Sequence, residues 1–388
     1  MKRFWLSAQE CSGCGACANA CPVDAISMEF AEDGFRYPVI SGACVDCDKC
    51  ERTCVAVHRF SSGYEMRPDT FAVWSKSEEA RFASTSGGAF TELANAVLAE
   101  GGAVFGALYG SRCDVKHGAA DDAEGLKGLR QSKYVQSDIG FAFREVKQRL
   151  DEGRMVAFCG APCQVAGLRA FLGRRADTDK LVAFDFVCRG VNSPKAYRAW
   201  LDELESAKGA SVAKVWFKYK VGGWKTSPVR TRIEFDDGSD MVLDGESNLF
   251  MRGYLESNLF LRPSCANCQF KGFPRQGDIT LADFWGLDSS LDDDRGASMV
   301  LVNGEKGKAL FERAKEDLEV HERSFDEIFV GNVCIDTSVK RNRKSQDFMA
   351  DLDAMCFSAA LGKHTRVSLA RKSMRKMKAL AKSLLRRG

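Results

Sequence analysis

The sequence predicts an α+β protein of three parts: a cysteine-dense unit over 1–62, an α/β domain with a β-rich extension over 68–335, and a helical region over 336–388 ending in a basic tail. Three observations lead there. Eight cysteines fall in two identical runs before residue 55. From Thr70 onward, short β-branched or apolar runs alternate with helical stretches, the pattern of helices covering a sheet. Residues 363–388 then hold ten Lys or Arg and no Asp or Glu.

The two runs are Cys11, Cys14, Cys17, Cys21 and Cys44, Cys47, Cys50, Cys54, each spaced C-x2-C-x2-C-x3-C, and the second repeats the first 33 residues on. Three thiolates from one tight loop plus a distant fourth suit a 4Fe-4S cube. Where two such clusters are built together the fourth ligand is exchanged, which groups Cys11, Cys14, Cys17 with Cys54 and Cys44, Cys47, Cys50 with Cys21. Pro22 follows the first run as that pattern expects, whereas Val55 stands where a second proline would be. The departure costs little, because the proline turns the chain and ligates nothing. Disulfide frameworks belong to secreted chains, and paired zinc sites rarely use four evenly spaced cysteines twice. Residues 4–60 thus resemble a bacterial two-cluster ferredoxin.

At 388 residues and 45% apolar content the chain can bury a sizeable core. Its sixteen cysteines need thiolate chemistry, not oxidation. No secretion signal is visible and no run approaches the length of a bilayer span, so a reducing cytoplasm is the expected setting. The net charge of +3 hides an asymmetry, since residues 1–362 carry 46 basic against 53 acidic side chains. An acidic body offers no phosphate-tracking face, and nucleic acid is not an expected partner.

After a linker rich in Ser, Gly and Arg over 61–68, strands are expected at Phe71–Trp74, Ala103–Tyr109, Met155–Cys159 and Leu181–Val187. Helices are expected near Ala89–Ala99, Asp138–Glu152, Pro162–Leu172 and Pro194–Ser206. A β-rich section follows at Val212–Tyr219, Val229–Phe235 and Met241–Leu243, the last two separated by the turn Asp236-Asp237-Gly238. Strands at Asp278–Trp285 and Ala297–Val302 and a helix over Lys306–Asp317 complete the domain.

Four cysteines stand out here: Cys163 opening a helix, Cys188 ending a strand, and the Cys265-x-x-Cys268 pair. Four is the number a third cluster needs, yet single cysteines at strand ends are also common small buried hydrophobes. Cys113, Cys159, Cys334 and Cys356 have no partner pattern and read as structural. His58, His117, His321 and His364 have no ligand spacing.

Six strings occur in order: Ser84-Thr85-Ser86-Gly87-Gly88, Ser132-Lys133-Tyr134-Val135-Gln136-Ser137, Gly160-Ala161-Pro162-Cys163-Gln164, Cys188-Arg189-Gly190 with Ser193, Cys265-x-x-Cys268, and Asp278 through Gly286. Together they resemble the family of beta subunits of deazaflavin (coenzyme F-420) reducing hydrogenases and dehydrogenases, of the bacterial type with an N-terminal dicluster domain found near polysaccharide-biosynthesis genes. The resemblance implies FAD in the α/β domain beside iron–sulfur centres, and it favours a third cluster on Cys163, Cys188, Cys265 and Cys268. Ala161 replaces a common threonine and Arg189 a common histidine, which places a fixed cation beside the core four.

The expected flavin contacts are Ser84, Ser86, Gly87, Gly88, Lys133, Tyr134, Gln136, Ser137, Gly160, Pro162 and Gln164. Ser86-Gly87-Gly88 before a helix presents backbone N–H groups to an anion such as the FAD pyrophosphate, although the string also reads as a plain turn. No dinucleotide fingerprint or Walker string accompanies it. Lys133 is the expected catalytic cation near flavin N1, with Tyr134 and Gln136 at the ring; the alternative is a solvated lysine beside a packing tyrosine. Asp283 and Trp285 are placed at the pocket mouth or in a strand-ending turn. In the tail, Ala370, Met374, Met377, Ala381 and Leu384 share one helical face opposite basic residues, which suits an anionic membrane surface or a docked helix.

The expected function is that of an iron–sulfur flavoprotein oxidoreductase passing electrons between 4Fe-4S clusters and FAD, with hydride exchange to an organic acceptor or deazaflavin. The expected partners are an electron donor or acceptor protein and a small-molecule or glycan-linked substrate. The competing classes are a non-catalytic subunit relaying electrons to a partner protein and a core without flavin, in which only the ferredoxin segment works.

Overall fold

The structure is a computed structural model that describes residues 6–58, 62–225 and 230–365. The expected basic tail helix, Ser61 of the linker and Val229 lie outside the described residues. Among the described residues no helix is long and apolar enough to cross a membrane.

The N-terminal unit is two short helices, α1 (Ala16–Ala20) and α2 (Lys49–Arg52), around the antiparallel hairpin β1 (Ile26–Phe30) and β2 (Arg36–Ile40). The 33-residue repeat extends to backbone conformation. Gly13 and Asp46 both have positive φ (66° and 51°), as do Gly15 and Asp48 (75° and 56°), the residues that precede α1 and α2. Aspartate tolerates the left-handed region better than most side chains, so one loop shape recurs on different residues.

The large unit opens with β3 (Asp69–Ser75), α3 (Glu78–Phe82), α4 (Ala89–Ala99), β4 (Ala103–Tyr109), β5 (Val115–Ala120) and α5 (Ala123–Leu129). It continues with α6 (Ala142–Asp151), β6 (Val156–Cys159), α7 (Pro162–Leu172), β7 (Leu181–Phe186) and α8 (Pro194–Lys208). The β-rich extension is β8 (Val212–Trp216), β9 (Thr231–Phe235) and β10 (Asp240–Leu243), followed by α9 (Leu249–Arg252). The chain then returns through β11 (Ile279–Asp283), β12 (Ser298–Val302), α10 (Glu305–Ala314) and β13 (Leu318–Arg323), and ends in α11 (Ser345–Asp351) and α12 (Phe357–Thr365).

Eight of these strands form one mixed sheet in the order β13-β3-β12-β11-β7-β6-β4-β5, with β11, β7, β6 and β4 mutually parallel. The pleat sends alternate residues to two cores. Val104, Ala157 and Val182 meet α4 and α10 on one face, while Phe105, Phe158 and Ala183 meet α6 and α7 on the other. Strands covered on both faces read as continuous apolar runs, which is why β4, β6 and β7 were legible. The extension packs with α8, α9, α11 and α12 around Trp200, Phe217, Phe250 and Phe348 as a further core.

Several expectations need correction. The helix expected from Asp138 starts at Ala142, because Asp138 N–H donates to the Val115 carbonyl at 2.9 Å and pairs with β5 as an isolated bridge. The strand expected to reach Tyr219 ends at Trp216. The linker is anchored: Tyr64 Oη donates to Asp278 Oδ1 at 2.6 Å and accepts from Arg169, beside the buried Arg169–Asp278 ion pair of 2.8 Å. Strands β5 and β13 and helix α5 were not anticipated.

The N-terminal unit sits on the second face of the sheet. Ala16 of α1 is fully packed into the core of α6 and α7, and Arg144 of α6 donates to the carbonyls of Ala18, Asn19 and Cys21 at 3.2, 2.9 and 2.8 Å. A Cβ built on Gly167 of α7 would lie 3.1 Å from Cys14 Sγ, so α7 carries the first cysteine loop directly on its side.

Candidate functional site

The N-terminal thiols form two groups. Cys14 and Cys17 are surrounded by Cys11 and Cys54, and their pKa values are raised first by burial and then by those neighbours, that of Cys14 to about 11. Cys21, Cys44, Cys47 and Cys50 line a separate cavity of about 340 Å³. The grouping is that of the exchanged fourth ligand. Among the described residues no three His, Cys, Asp or Glu side chains converge closely enough for one metal ion. Each group supplies four thiols, the ligand number of a four-iron cluster.

A third group assembles in the large unit. Cys163 is the second residue of α7, behind Pro162; Cys188 follows β7; Cys265 lies in the 3-10 turn Pro263–Asn267 and Cys268 just beyond it. All four line one cavity of about 320 Å³, together with Cys334, Arg189, Lys271 and Phe270. Burial is the first cause raising Cys188 to about 12 and Cys265 to about 11, so these sulfurs stay protonated until a metal draws the proton away. Cys334, read from sequence as structural, belongs to this wall. Lys271 Nζ donates to its carbonyl at 2.6 Å and also to the carbonyl of Cys188, tying the two segments together. The Arg189 guanidinium donates to Asn258 Oδ1 at 2.8 Å and to the Leu255 carbonyl at 2.9 Å.

The first and third groups meet at one apolar cluster. Cys14, Cys163 and Cys268 pack in one cluster around Val55, Ala166 and Phe270, and Cys14 is among the charges that bear on Cys163.

The strings expected to hold a flavin gather beyond the carboxyl ends of β4, β6, β7 and β11, where open α/β sheets bind ligands. Ser132 N–H donates to Thr85 Oγ1 at 2.8 Å, Gln164 Nε2 to Ser137 Oγ at 3.0 Å, and Asn192 Nδ2 to the Tyr134 carbonyl at 2.8 Å. Their side chains are largely spent on one another. Ser84 and Ser86 donate to the carbonyls of Ala80 and Ala297, and Gln164 Oε1 accepts from Ala161 N–H next to Gly160. A Cβ on Gly87 would come 2.3 Å from the Val73 carbonyl, and Gly88 takes φ 96° to start α4, so both glycines serve close packing against β3. Lys133 is buried, donates to the carbonyls of Arg130 and Gly128 at 2.6 and 3.1 Å, and is pulled down by that burial to about 7. Tyr134 packs edge-on against Phe217, while Gln136 reaches the N-terminal unit and donates to the Ser12 carbonyl at 3.0 Å.

Sequence reasoning named Asp283 and Trp285 at this edge but missed the Lys218 and Trp224 that join them. The turn after β8 brings Lys218 to Asp283 at 2.8 Å and over the rings of Trp224 and Trp285, which stack at 4.4 Å. No spacing signals this group, because its members are far apart in the chain.

Residues 153–328 match the family described as the C terminus of the beta subunit of coenzyme F420 hydrogenase/dehydrogenase, and residues 10–56 match a 4Fe-4S dicluster domain. Through these segments the chain is similar to that family of beta subunits and to dicluster ferredoxin-like domains. The F subunit of the F(420)H(2) dehydrogenase of Methanosarcina mazei is 24% identical over 173 residues, which are 41% of this chain and 47% of that protein. The chain thus spans about half the length of the curated relative it matches. A chain of the F420-reducing NiFe hydrogenase complex from Methanosarcina barkeri aligns over 80% of this chain and 92% of that one, with 15% identity and a TM-score of 0.46.

Proposed function

We propose that this beta-subunit-like chain is an electron-transfer protein with three four-iron sites: Cys11, Cys14, Cys17 and Cys54; Cys21, Cys44, Cys47 and Cys50; and Cys163, Cys188, Cys265 and Cys268. The observation that carries the reading is the packing of Cys14, Cys163 and Cys268 against one shared cluster of Val55, Ala166 and Phe270, which brings the N-terminal thiols close to those at the carboxyl edge of the sheet. Four-iron clusters, when bound, supply one-electron redox chemistry. The residues named hold them, exclude water and fix their separation. The partner is a protein that gives or takes electrons, a reading supported by a relative that is itself named as one subunit of a dehydrogenase.

A second reading adds FAD at the carboxyl edge and hydride exchange with an organic acceptor or deazaflavin. It is favoured by the convergence there of the strings Ser84–Gly88, Ser132–Ser137 and Gly160–Gln164 and by Lys133, a buried amine near pKa 7 able to hold or release a proton. Anaerobically purified protein decides between the two. Three sites predict about twelve irons per chain, falling to about eight in Cys163→Ser, and about eight in the wild type would remove the core site. FAD released on denaturation and identified by chromatography would establish the second reading, and a flavin-free protein with full iron would leave the relay.

A further inference from the structure

Arg262 belongs to the large unit, three residues before Cys265, yet its side chain ends inside the N-terminal one. It is fully buried. Nε donates to the Cys11 carbonyl at 2.9 Å, Nη1 to Gln136 Oε1 at 2.7 Å, and Nη2 to the Arg36 carbonyl at 3.1 Å, with Cys11 Sγ 3.7 Å from Nη2. The guanidinium also lies over Tyr37 and Phe35, 4.4 and 5.2 Å from their ring centres. The fit is close enough that a Cβ on Gly13 would sit 2.7 Å from Nη1.

Among the described residues no carboxylate comes within ion-pair distance of this cation. Burying a charge without an opposite one is costly, and the anion that chemistry supplies in contact with it is the Cys11 sulfur as a metal-bound thiolate. The second thiol group differs. Its wall carries Lys49 with Asp46, Asp48 and Glu51, three of the four solvent-exposed, and its sulfurs meet the Ala25 N–H at Cys21 and the Asp46 carboxylate at Cys44. Exposed charges of mixed sign are screened; a buried cation is not.

We infer that Arg262 is a positioning residue that poises the Cys11, Cys14, Cys17, Cys54 site, its charge and its N–H to Cys11 Sγ favouring the reduced state there over the reduced state at the Cys21, Cys44, Cys47, Cys50 site. The inference rests on the cluster reading above. Reduction adds one electron from an external one-electron donor, forms and breaks no bond, and leaves the site one charge more negative. A fixed cation and a sulfur hydrogen bond both stabilise that product.

The test is a potentiometric titration of the full-length anaerobic protein, followed by electron paramagnetic resonance, with iron and sulfide counted on the same samples. The relevant signal is the one lost in Cys11→Ser. In Arg262→Gln its reduced fraction at the wild-type midpoint should fall roughly tenfold in ratio, about 59 mV for one electron, with the other signals unmoved. Arg262→Lys keeps the charge and should shift it less. Should Arg262→Gln fail to load iron, Gln136→Glu neutralises the same cation from 2.7 Å and should lower the same midpoint. Full iron with an unmoved midpoint in whichever of these variants loads overturns the role of Arg262 alone, whereas a wild-type chain without iron overturns the cluster reading as well.

Discussion

His117 shows how much of the site is internal wiring. The Cys159 carbonyl, 3.1 Å from Nε2, can only accept, so Nε2 carries the proton and Nδ1 accepts from Ser137 Oγ at 2.9 Å. Burial first, with Lys133 adding to it, lowers the imidazole to about 4 against the opposing pull of the Cys159 carbonyl and Asp138. The unfolded chain binds that proton near pH 6.5, so stability is intact above about 6.5, falls as pH drops toward about 4, and is flat below. Denaturation midpoints should record a loss on the order of 3 kcal/mol across that window, and His117→Gln should flatten it. At Gly13, by contrast, both φ 66° and the guanidinium forbid a side chain. Gly13→Ala should lower the iron bound per chain, measured after anaerobic purification. The two N-terminal cysteine groups were legible because their spacing alone specifies a loop, whereas Cys163, Cys188, Cys265 and Cys268 came together only through the family resemblance. Arg262, Lys218 and Cys334 were not legible, because each acts across a long sequence separation and leaves no local pattern.

Among elements, α7 has the most to do. Pro162 at its first turn and Gln164 folded back on Ala161 N–H fix where it starts, and Gly167 lets the first cysteine loop lie against it. Gly167→Leu should cost about 1–3 kcal/mol by overpacking and reduce iron at the first site, read by denaturant titration and iron assay. The bounds of α4, β4 and α7 matched expectation because Pro, Gly and continuous apolar runs mark them. Strands β5 and β13 escaped notice for a physical reason: VKHGAA and LEVHER lie at the sheet's two edges, where polar side chains face water and the apolar signal is diluted. The 61–68 segment was misread as a free linker because Tyr64's partner, Asp278, is 214 residues away. Tyr64→Phe should lose about 1–3 kcal/mol, since it strips a hydrogen bond from a buried carboxylate, and chemical denaturation measures it.

At the scale of the molecule, the two units are one body. Ala16 in the core of α6 and α7, Arg144 on three carbonyls of the first loop, and Arg262 reaching back from beside Cys265 all cross between them. Heat unfolding should therefore be a single transition by calorimetry, with no separate melting of residues 1–58. A ferredoxin-like domain held on a tether would have to swing into place before each transfer. Here Cys14 is already seated on the helix that carries Cys163, so nothing has to diffuse. The passage of charge between the two halves should keep its pace in glycerol as in water.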